Sequence, residues 1–339
     1  MLKSNAIGIM NQMWAAHATT DAEAVATAIE ETLLAEALGF DSVWIGEHHN
    51  VRPGARFYGR IPASEMFLAH LAAKTTRIAL GTGVRILSTT PPQRTAEEMS
   101  LLDLLSGGRA EFGVGLGSTP DVKPGDPARA EKAARFRALL SEIVAHLSGT
   151  AEGAPISPAP APDLAARIWA AARDEPTLRH IADAGINLVV GQAELPPIQA
   201  AIVKSYRAAG GTGLVRGVRL VFVAESHAEA MRDADEALSL YLGQMGGKGY
   251  HAEAMTKGLL AADPRTLEER ALGVNFIIGS PEEVAALLNA YVAETGVDRL
   301  DLMVQVPGLR TDAVRRSMAL IQQAVKPLLK RAVAEPATA

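Results

Sequence analysis

Short apolar runs alternate with longer amphipathic segments through the whole of this chain. The short runs have the length and the apolar continuity of buried strands, whereas apolar residues recur at helical spacing in the longer segments. The predicted strands are residues 6–10, 42–46, 77–87, 109–115, 167–171, 186–190, 215–224 and 300–306. The predicted helices are residues 21–38, 62–74, 92–105, 128–147, 176–184, 196–209, 227–242 and 311–330, together with a helix that begins at residue 280.

Strict alternation of strands and helices predicts parallel strands that are joined by helical crossovers. An open doubly wound sheet and a closed barrel are both built in this way. About eight repeating units in 339 residues, without a shift in composition, favour the closed form. The sequence therefore predicts an α/β fold, a (β/α)8 TIM barrel that occupies residues 1–339 as a single domain.

Three segments interrupt the alternation and are predicted to be insertions in the loops of the barrel. Residues 118–127 are polar, residues 149–166 are rich in Pro, Ala and Gly, and residues 244–273 are rich in Gly. We expect the third segment to be a lid that screens an active site from water. The residues expected to form the walls beneath it are Met10, Trp44, Phe57 and Leu87.

Composition narrows the classes of function. The net charge is -5 and the isoelectric point is near 5.9, so the chain lacks the basic surplus that neutralises nucleic-acid phosphates. It has no cysteine, which excludes disulfides, thiolate nucleophiles and cysteine-ligated metals. The first ten residues do not resemble a signal peptide, and no run approaches the roughly 20 apolar residues of a membrane span. We expect a soluble, cytoplasmic protein with no nucleic-acid or membrane partner.

The predicted strand at 42–46 ends abruptly in a carboxylate and two imidazoles, Glu47, His48 and His49. The carboxyl ends of parallel strands form the active-site rim of a βα-barrel, and imidazole titrates close to neutral pH. This pattern predicts an enzyme whose catalytic residues lie here. The alternative is that two loop histidines simply cap a strand. A metal site is disfavoured, because the HxH and HxxxH spacings and an acidic partner cluster are lacking.

Glycines interrupt two of the predicted strands. Gly81 and Gly83 lie in the third strand, where glycine is typical of a bulge or of a ligand that approaches the backbone closely. Residues 113–117 read GVGLG, and we interpret these glycines as space for a ligand above the fourth strand. They are not a dinucleotide-binding fingerprint, because the third glycine, the following helix and the distant acidic residue of that motif are missing.

The turn at residues 173–177 joins a predicted strand to a predicted helix. Free N–H groups at a helix N-terminus can bind a phosphate, and Arg173 and Thr177 would add a guanidinium and a hydroxyl. Alternatively, Asp174 is only the N-cap of the helix and Arg173 only a solvated charge. The two acidic residues of this turn, Asp174 and Glu175, count against a phosphate.

Taken together and in this order, these segments resemble the bacterial-luciferase-like family of flavin-dependent monooxygenases. One block is residues 36–44, EALGFDSVW, which leads into Glu47, His48 and His49. The resemblance covers essentially the whole chain. Its other blocks are residues 76–83 (TRIALGTG), 92–98 (PQRTAEE), 102–109 (LDLLSGGR) and 113–115 (GVG), with a weaker echo in 278–284 (IGSPEEV) and 296–298 (GVD).

The resemblance implies a (β/α)8 barrel that binds reduced FMN at its C-terminal face. Such enzymes typically receive FMNH2 from a separate flavin reductase and react it with O2 to a C4a-hydroperoxyflavin, which oxygenates a small-molecule substrate. The composition of the 244–273 insertion suits a small, largely apolar organic substrate. Family members are often homodimers through the helices that follow the second and third strands.

The resemblance also implies roles for individual residues. The catalytic histidine of the family falls on His48, with Glu47 and His49 beside it. The strand segment that backs the flavin ring, often through a non-prolyl cis peptide, falls on Gly83 and Val84. The other cofactor-binding residues that we expect are Met10, Gly115, Ala172, Arg173, Asp174 and Thr177.

The chain departs from the luciferases at two positions. They carry an Arg for the flavin phosphate where this chain has Leu116, and a reactive Cys where it has Gly115. FMN would be held more weakly unless Arg173, Arg129 or Arg135 substitutes for the missing Arg. Two alternatives therefore stay open: a deazaflavin-dependent oxidoreductase that transfers hydride, and a catalytically silent flavin-binding barrel.

Overall fold

A computed structural model describes residues 6–51, 54–117, 127–245, 255–260 and 266–330. The strands are β1 Ile7–Asn11, β2 Trp14–Ala16, β3 Ser42–Ile45, β4 Phe57–Gly59, β5 Ala79–Ile86, β6 Ala110–Gly115, β7 Ile168–Ala171, β8 Asn187–Val190, β9 Val215–Val223, β10 Phe276–Gly279 and β11 Arg299–Met303. The helices are α1 Asp21–Leu38, α2 Ser64–Ala72, α3 Pro92–Ser106, α4 Pro127–Leu147, α5 Glu175–Asp183, α6 Pro196–Ala208, α7 His227–Met245, α8 Leu267–Gly273, α9 Pro281–Thr295 and α10 Thr311–Leu320.

Eight parallel strands close into a ring, which confirms the predicted (β/α)8 barrel. Their order is β1-β3-β5-β6-β7-β8-β9-β11, and β11 pairs again with β1. Closure depends on β9, which pairs with β8 through residues 215–217 and with β11 through residues 216–220. β10 pairs with residues 220–223 of β9. It lies beside β9 on the same side as β8, but nearer the C-terminal end of the strand.

The helix ends follow local signals in the sequence. α1 begins with a capping box: the Thr20 hydroxyl accepts from the Glu23 N–H, and the Glu23 carboxylate accepts from the Thr20 N–H. α1 ends at Gly39, whose φ of 86° is a left-handed conformation that glycine adopts readily. The predicted capping box at Ser280 and Glu283 is present at the start of α9. These caps determine where the chain turns back toward the next strand.

The sequence does not predict four of the elements. β2 and β4 have three residues each, which is too short for an alternation to be recognised, and they pair antiparallel with each other. α8 lies in the segment that the sequence assigns to an irregular insertion, and β10 follows it. The last helix is also shorter than predicted. α10 ends at Leu320, and the chain continues as a π-helical turn, Ile321–Val325, and a 3₁₀ turn, Lys326–Leu328.

Of the three predicted insertions, the structure describes the whole of 149–166. It is irregular, contains a cis peptide bond between Ser157 and Pro158, and leads into a 3₁₀ turn, Leu164–Arg167. Residues 118–126 of the first insertion, and 246–254 and 261–265 of the third, lie outside the described residues. Within the described part of the chain, no helix has the length and apolarity needed to cross a membrane.

A guanidinium between two tryptophans fills the N-terminal half of the barrel. The charged group of Arg216 lies 4.1 Å from the centre of the Trp44 ring and 4.6 Å from that of Trp169. Arg216 also donates to Asp301 at 2.6 Å. Burial raises the pKa of Asp301, and the neighbouring Arg216 opposes this shift. A buried charge is tolerated only when it is paired and hydrogen-bonded, as here. This layer closes one end of the barrel.

Helix α7 packs against β10 and the C-terminal end of β9 at the other end of the barrel. Arg216 points inward, so every second residue after it on β9 does the same. One hydrophobic cluster joins these residues of β9 to α7, namely Val218, Leu220 and Phe222 with Ala230, Met231, Ala234, Ala237, Leu238 and Tyr241. Farther along α7, Gln244 accepts from the Arg56 N–H and donates to the Phe57 carbonyl beside β4. α7, which the sequence predicts only as one more repeat helix, therefore covers part of the barrel mouth.

The glycines of β6 give a test of this packing. We expect Gly113→Ala to lower the free energy of unfolding by about 3 kcal/mol or more, because its Cβ would lie 2.2 Å from the Thr82 carbonyl oxygen of the adjacent strand. Gly107→Ala is the control: it faces open space at a φ of 69°, and should lower this energy by only about 1 kcal/mol. Urea denaturation measures both, and equal losses would contradict the close approach of β5 to β6.

Candidate active site

The predicted site residues come together at the C-terminal end of the barrel. The strands that carry them, β1, β3, β5, β6 and β7, are consecutive neighbours in the sheet. Met10 lies in β1, the Glu47–His49 segment follows β3, Gly83 and Val84 lie in β5, Gly115 ends β6, and Ala172, Arg173, Asp174 and Thr177 follow β7. The barrel thus places residues that are distant in the sequence along one arc of its rim.

His48 is held by a glutamine that the sequence analysis does not single out. The Nε2 atom of His48 lies 2.6 Å from Oε1 of Gln12, the residue that follows β1. The Nε2 atom of Gln12 donates to the Gly83 carbonyl at 3.3 Å. The imidazole also packs against Gly59, where a Cβ would lie 2.1 Å from Cδ2 of His48. These contacts fix a half-buried imidazole at the rim between β1 and β5.

Glu47 and His49 form a separate pair. The Oε2 atom of Glu47 accepts from the Ile86 N–H at 2.9 Å, and its Oε1 atom lies 2.6 Å from Nε2 of His49. The Glu47 side chain is 4% exposed, whereas that of His49 is 39% exposed. Because both oxygens of Glu47 are engaged, this carboxylate ties the loop after β3 to the end of β5.

The peptide bond between Gly83 and Val84 is cis, as the resemblance to the luciferase-like family implies. At position 83 a Cβ would lie 2.7 Å from Cε of Met10. Met10 therefore packs directly on this segment, and the two predicted cofactor-binding positions are in contact. Only glycine allows this approach without displacing the methionine.

The glycines of β6 make room for β5 rather than for a ligand. A Cβ at Gly115 would lie 2.6 Å from Cγ2 of Val84, and Gly113 is crowded by the backbone of Thr82. The interpretation of this run as empty space above the fourth strand is therefore wrong. Gly115 would contribute to a cofactor site indirectly, by allowing Val84 to lie where it does.

Arg85 anchors the same segment from the outer side of the strand. Its terminal nitrogens lie 2.6 Å from Oε1 of Glu65 in α2 and 2.6 Å from Oε2 of Glu98 in α3. Burial raises the pKa of Glu65, and the charge of Arg85 opposes that shift. Together with the bond from Ile86 to Glu47, these ion pairs fix the two residues that follow Val84.

A buried carboxyl supports the loop that carries Gln12. Nδ2 of Asn11 donates to Oε2 of Glu31 in α1 at 2.8 Å, and Oδ1 of Asn11 accepts from the Met13 N–H at 2.7 Å. Met13 has a φ of 44°, so the chain bends sharply at this point. Burial raises the pKa of Glu31 to about 8. Glu31 is therefore largely neutral at pH 7 and can lie beneath β1 without a countercharge.

The turn after β7 is occupied by its own side chains. Asp174 is the N-cap of α5, and its Oδ1 atom accepts from the Thr177 N–H at 3.0 Å and from the Thr177 hydroxyl at 2.7 Å. Nη1 of Arg137, in α4, donates to the Thr177 hydroxyl at 3.0 Å. Donors expected for a phosphate are thus engaged with a carboxylate. The guanidinium beside the cap comes from Arg137, which the sequence analysis does not single out.

Arg173 forms an ion pair with Glu194, a residue of the loop after β8. The Glu194 side chain is 1% exposed and that of Arg173 is 39% exposed. The loop is held in place because its Glu194 carbonyl accepts from the side-chain amides of Gln199 and Asn275. Arg173 therefore faces the rim with its charge largely balanced.

Aromatic side chains from β2, β4 and α7 form an apolar wall. The Trp14 ring centre lies 5.3 Å from that of Phe57 and 5.6 Å from that of Tyr241. Burial raises the pKa of the Tyr241 hydroxyl, and the side chain of Gln192 opposes this shift. Phe57 is one of the expected wall residues. Leu87 belongs to a different hydrophobic cluster from Phe57, Met10 and Trp44.

Gln12, Glu31 and Arg137 are among the residues of this region that the sequence analysis does not single out. Gln12 follows an apolar strand, as the Glu47–His49 segment does, and the same signal could have identified it. Glu31 and Arg137 lie inside amphipathic helices. Their contacts with β1 and α5 arise only from tertiary packing, so no local pattern points to them.

Comparison with known proteins decides the family. A family profile described as luciferase-like monooxygenase matches residues 7–299. The chain belongs to this family. The match confirms the resemblance that the Glu47–His49 and glycine motifs indicate.

Individual curated relatives show how the similarity is distributed. The chain is 41% identical over 85 residues to 4-hydroxyprotoasukamycin monooxygenase of Streptomyces nodosus subsp. asukaensis, which is 25% of this chain and 22% of the relative. It is 36% identical over 126 residues to an F420-dependent glucose-6-phosphate dehydrogenase of Beutenbergia cavernae, 35% of this chain and 36% of the relative. The chain thus spans between about a fifth and a third of these curated relatives.

The similarity in fold extends along nearly all of the chain. The oxygenating constituent of 3,6-diketocamphane monooxygenase from Pseudomonas putida, solved with FMN, superposes with a TM-score of 0.76 at 18% identity. The superposition covers 96% of this chain and 99% of that one. At this identity the likeness shows the barrel fold alone.

The buried carboxyl beneath β1 makes stability depend on pH. Burial raises the pKa of Glu31 from its ordinary value of 4.5 to about 8, so its contribution to stability is full below pH 4.5 and is lost as pH rises through 8. We expect the free energy of unfolding to fall between these values by about 1.4 kcal/mol per pH unit from this group. Glu31→Gln should remove that slope in urea titrations, and a slope unchanged by the substitution would contradict the assignment.

Proposed function

We propose that this chain is a flavin-dependent monooxygenase that uses reduced FMN and O2 to oxygenate a small, largely apolar organic substrate. The observation that carries the proposal is the position of His48. In a chain of the luciferase-like family, its imidazole is fixed at the barrel rim and joined through Gln12 to the backbone carbonyl of Gly83. An apolar wall of Trp14, Phe57 and Tyr241 lies beside it.

The residues at the ring end of the expected site fit a flat cofactor. Met10 lies against Gly83 and Val84 lies against Gly115, because the two glycines lack the Cβ atoms that would keep these side chains away. These positions would hold the flavin ring against the strand backbone. When bound, a reduced flavin would supply the electrons that activate O2.

The phosphate end fits less closely. Asp174 places a carboxylate at the N-terminus of α5, and Arg173 is already paired with Glu194. Arg137 contributes a guanidinium there through Thr177. We infer that Arg137, Arg173 and Thr177 would hold the phosphate, and that this chain binds FMN more weakly than a site with an uncapped helix would.

His48 would exchange a proton with the substrate or the oxygen-bearing group, as a general acid or base. Glu47 and His49 would hold the β3 and β5 loops in register rather than react, since Glu47 uses both oxygens within the protein. The apolar wall and α7 would exclude water, which strengthens each polar contact inside the site.

One further function is favoured by a specific observation. The match to the F420-dependent glucose-6-phosphate dehydrogenase covers 35% of this chain, whereas the match to 4-hydroxyprotoasukamycin monooxygenase covers 25%. The same barrel could hold a deazaflavin and transfer a hydride. Leu116, which cannot pair with a phosphate, is compatible with this alternative.

The proposed partners are a small-molecule substrate, O2, a separate reductase that supplies FMNH2, and a second copy of the chain. The dimer is suggested by apolar side chains exposed on adjacent helices after β3 and β5. These are Met66 of α2, which is 76% exposed, and Leu101, Leu104 and Leu105 of α3, which are 48%, 61% and 56% exposed.

Rapid mixing with O2 tests the cofactor assignment. We expect the protein to bind photoreduced FMN under anaerobic conditions and then, on mixing with O2, to give a transient absorbance that is neither reduced nor oxidised FMN. Binding of F420 in preference to FMN, measured by fluorescence titration, would overturn the proposal in favour of the dehydrogenase. Tight FMN binding without a transient would indicate a silent flavin-binding barrel.

The role of His48 can be separated from folding and from cofactor binding. We expect His48→Ala to retain FMN binding and to lower product formation by about 100-fold or more, because a positioned acid or base is lost. Product from a straight-chain alkanal probe, measured by gas chromatography, gives the rate. His146→Ala, in the last turn of α4, is the matched control. A His48→Ala rate equal to that of the control would refute the assignment.

A further inference from the structure

We propose that Gln12 is a positioning residue that sets both the tautomer and the orientation of the His48 imidazole. It does so by joining Nε2 of His48 to the backbone carbonyl of Gly83. The two contacts are 2.6 Å and 3.3 Å long. The proposal goes beyond the function proposed above, because it concerns the proton that His48 carries before any cofactor or substrate binds.

The direction of the hydrogen bonds follows from the chemistry of the groups. The carbonyl oxygen of Gly83 can only accept, so Gln12 must turn its NH2 group toward it. The amide oxygen of Gln12 then faces His48, and this oxygen can also only accept. Nε2 of His48 must therefore be the donor. In the neutral imidazole this places the proton on Nε2 and the lone pair on Nδ1.

The glutamine is itself held rigidly enough to impose this choice. The preceding residue, Asn11, is nearly buried and bonds to both Glu31 and the Met13 N–H. The side chain of Gln12 also lies against Gly46, where a Cβ would be 2.0 Å from its amide oxygen. An amide packed in this way cannot rotate freely to offer its NH2 group to the imidazole.

The imidazole is confined from a second direction. The backbone N–H of His48 donates to the Ile61 carbonyl at 2.7 Å. The ring lies so close to Gly59 that a Cβ at this position would collide with it. A ring flip would exchange Nε2 for a carbon atom and break the bond to Gln12. The end of β1, the loop that follows β3, and strand β5 are therefore joined by one side-chain amide.

If the proposed function holds, this arrangement would link the acid or base to the strand segment that backs the cofactor. The bond from Gln12 would hold the ring in one orientation and would stabilise it when it takes up a proton. A displacement of Gly83 would be transmitted to the imidazole through a single residue.

Nitrogen NMR of the imidazole tests the proposal without cofactor or substrate. The protein is labelled with ¹⁵N-histidine, and the His48 signal is assigned by its absence in His48→Ala. At a pH high enough for His48 to be neutral, we expect long-range ¹H–¹⁵N spectra to show the proton on Nε2. We also expect this proton to exchange slowly with water. In Gln12→Met we expect that protection to disappear and the ratio of Nε2–H to Nδ1–H forms to fall about fivefold or more.

Two further variants keep the test decisive. Gln12→Glu keeps an acceptor for Nε2 but cannot donate to the Gly83 carbonyl, so it should keep the Nε2–H form and lose the slow exchange that the anchored amide provides. Gln93→Met, which removes an exposed amide from α3, should leave the His48 signals unchanged. A proton on Nδ1 in the unmodified protein, or identical His48 spectra in Gln12→Met and Gln93→Met, would overturn the proposal. Failure of the monooxygenase assignment would leave these spectra unchanged.

Discussion

Closure of the parallel sheet is the constraint on which the rest of this structure depends. β9, with nine residues, pairs with β8 at its start and with β11 along its middle, and these two ladders join the ends of an otherwise open sheet. A closed ring has no free edge, so loops can gather only at its two rims. The Arg216 layer fills the interior toward one of them. The polar residues that follow the strands therefore lie together at the other rim, where their side chains can reach the backbone of neighbouring strands.

Several polar side chains at the rim are hydrogen-bonded to one another or to the backbone of the protein. Gln12 bridges the imidazole of His48 and a strand carbonyl, while Glu47 accepts from the backbone of β5 and faces His49. Such bonds hold side chains in place in advance, which is what a catalytic group requires of its surroundings. The same principle works against phosphate at the start of α5, where Asp174 takes the donors that an anion would need.

The fold could be predicted from the sequence because its signals are local. Apolar strands, amphipathic helices and caps such as Gly39 and Ser280 each act within a few residues, and alternation then leaves few topologies. His48 and the cis peptide position were also within reach, the first from the end of a strand and the second from family resemblance. The interpretation of the β6 glycines is wrong because a glycine indicates a close neighbour, but the sequence does not show whether that neighbour is a ligand or another strand. Glu31 and Arg137 reach the rim across long sequence separations.

Helix α7 carries small side chains, Ala230, Ala234 and Ala237, on the face that packs in the hydrophobic cluster with β9 and β10. All three alanines are fully buried, so no room is left beside them. A bulkier residue at any of them would force its neighbours to move, and the strands of the ring would be displaced only indirectly. The small side chains of this one helix therefore set how closely the chain that follows β9 can lie over the end of the barrel.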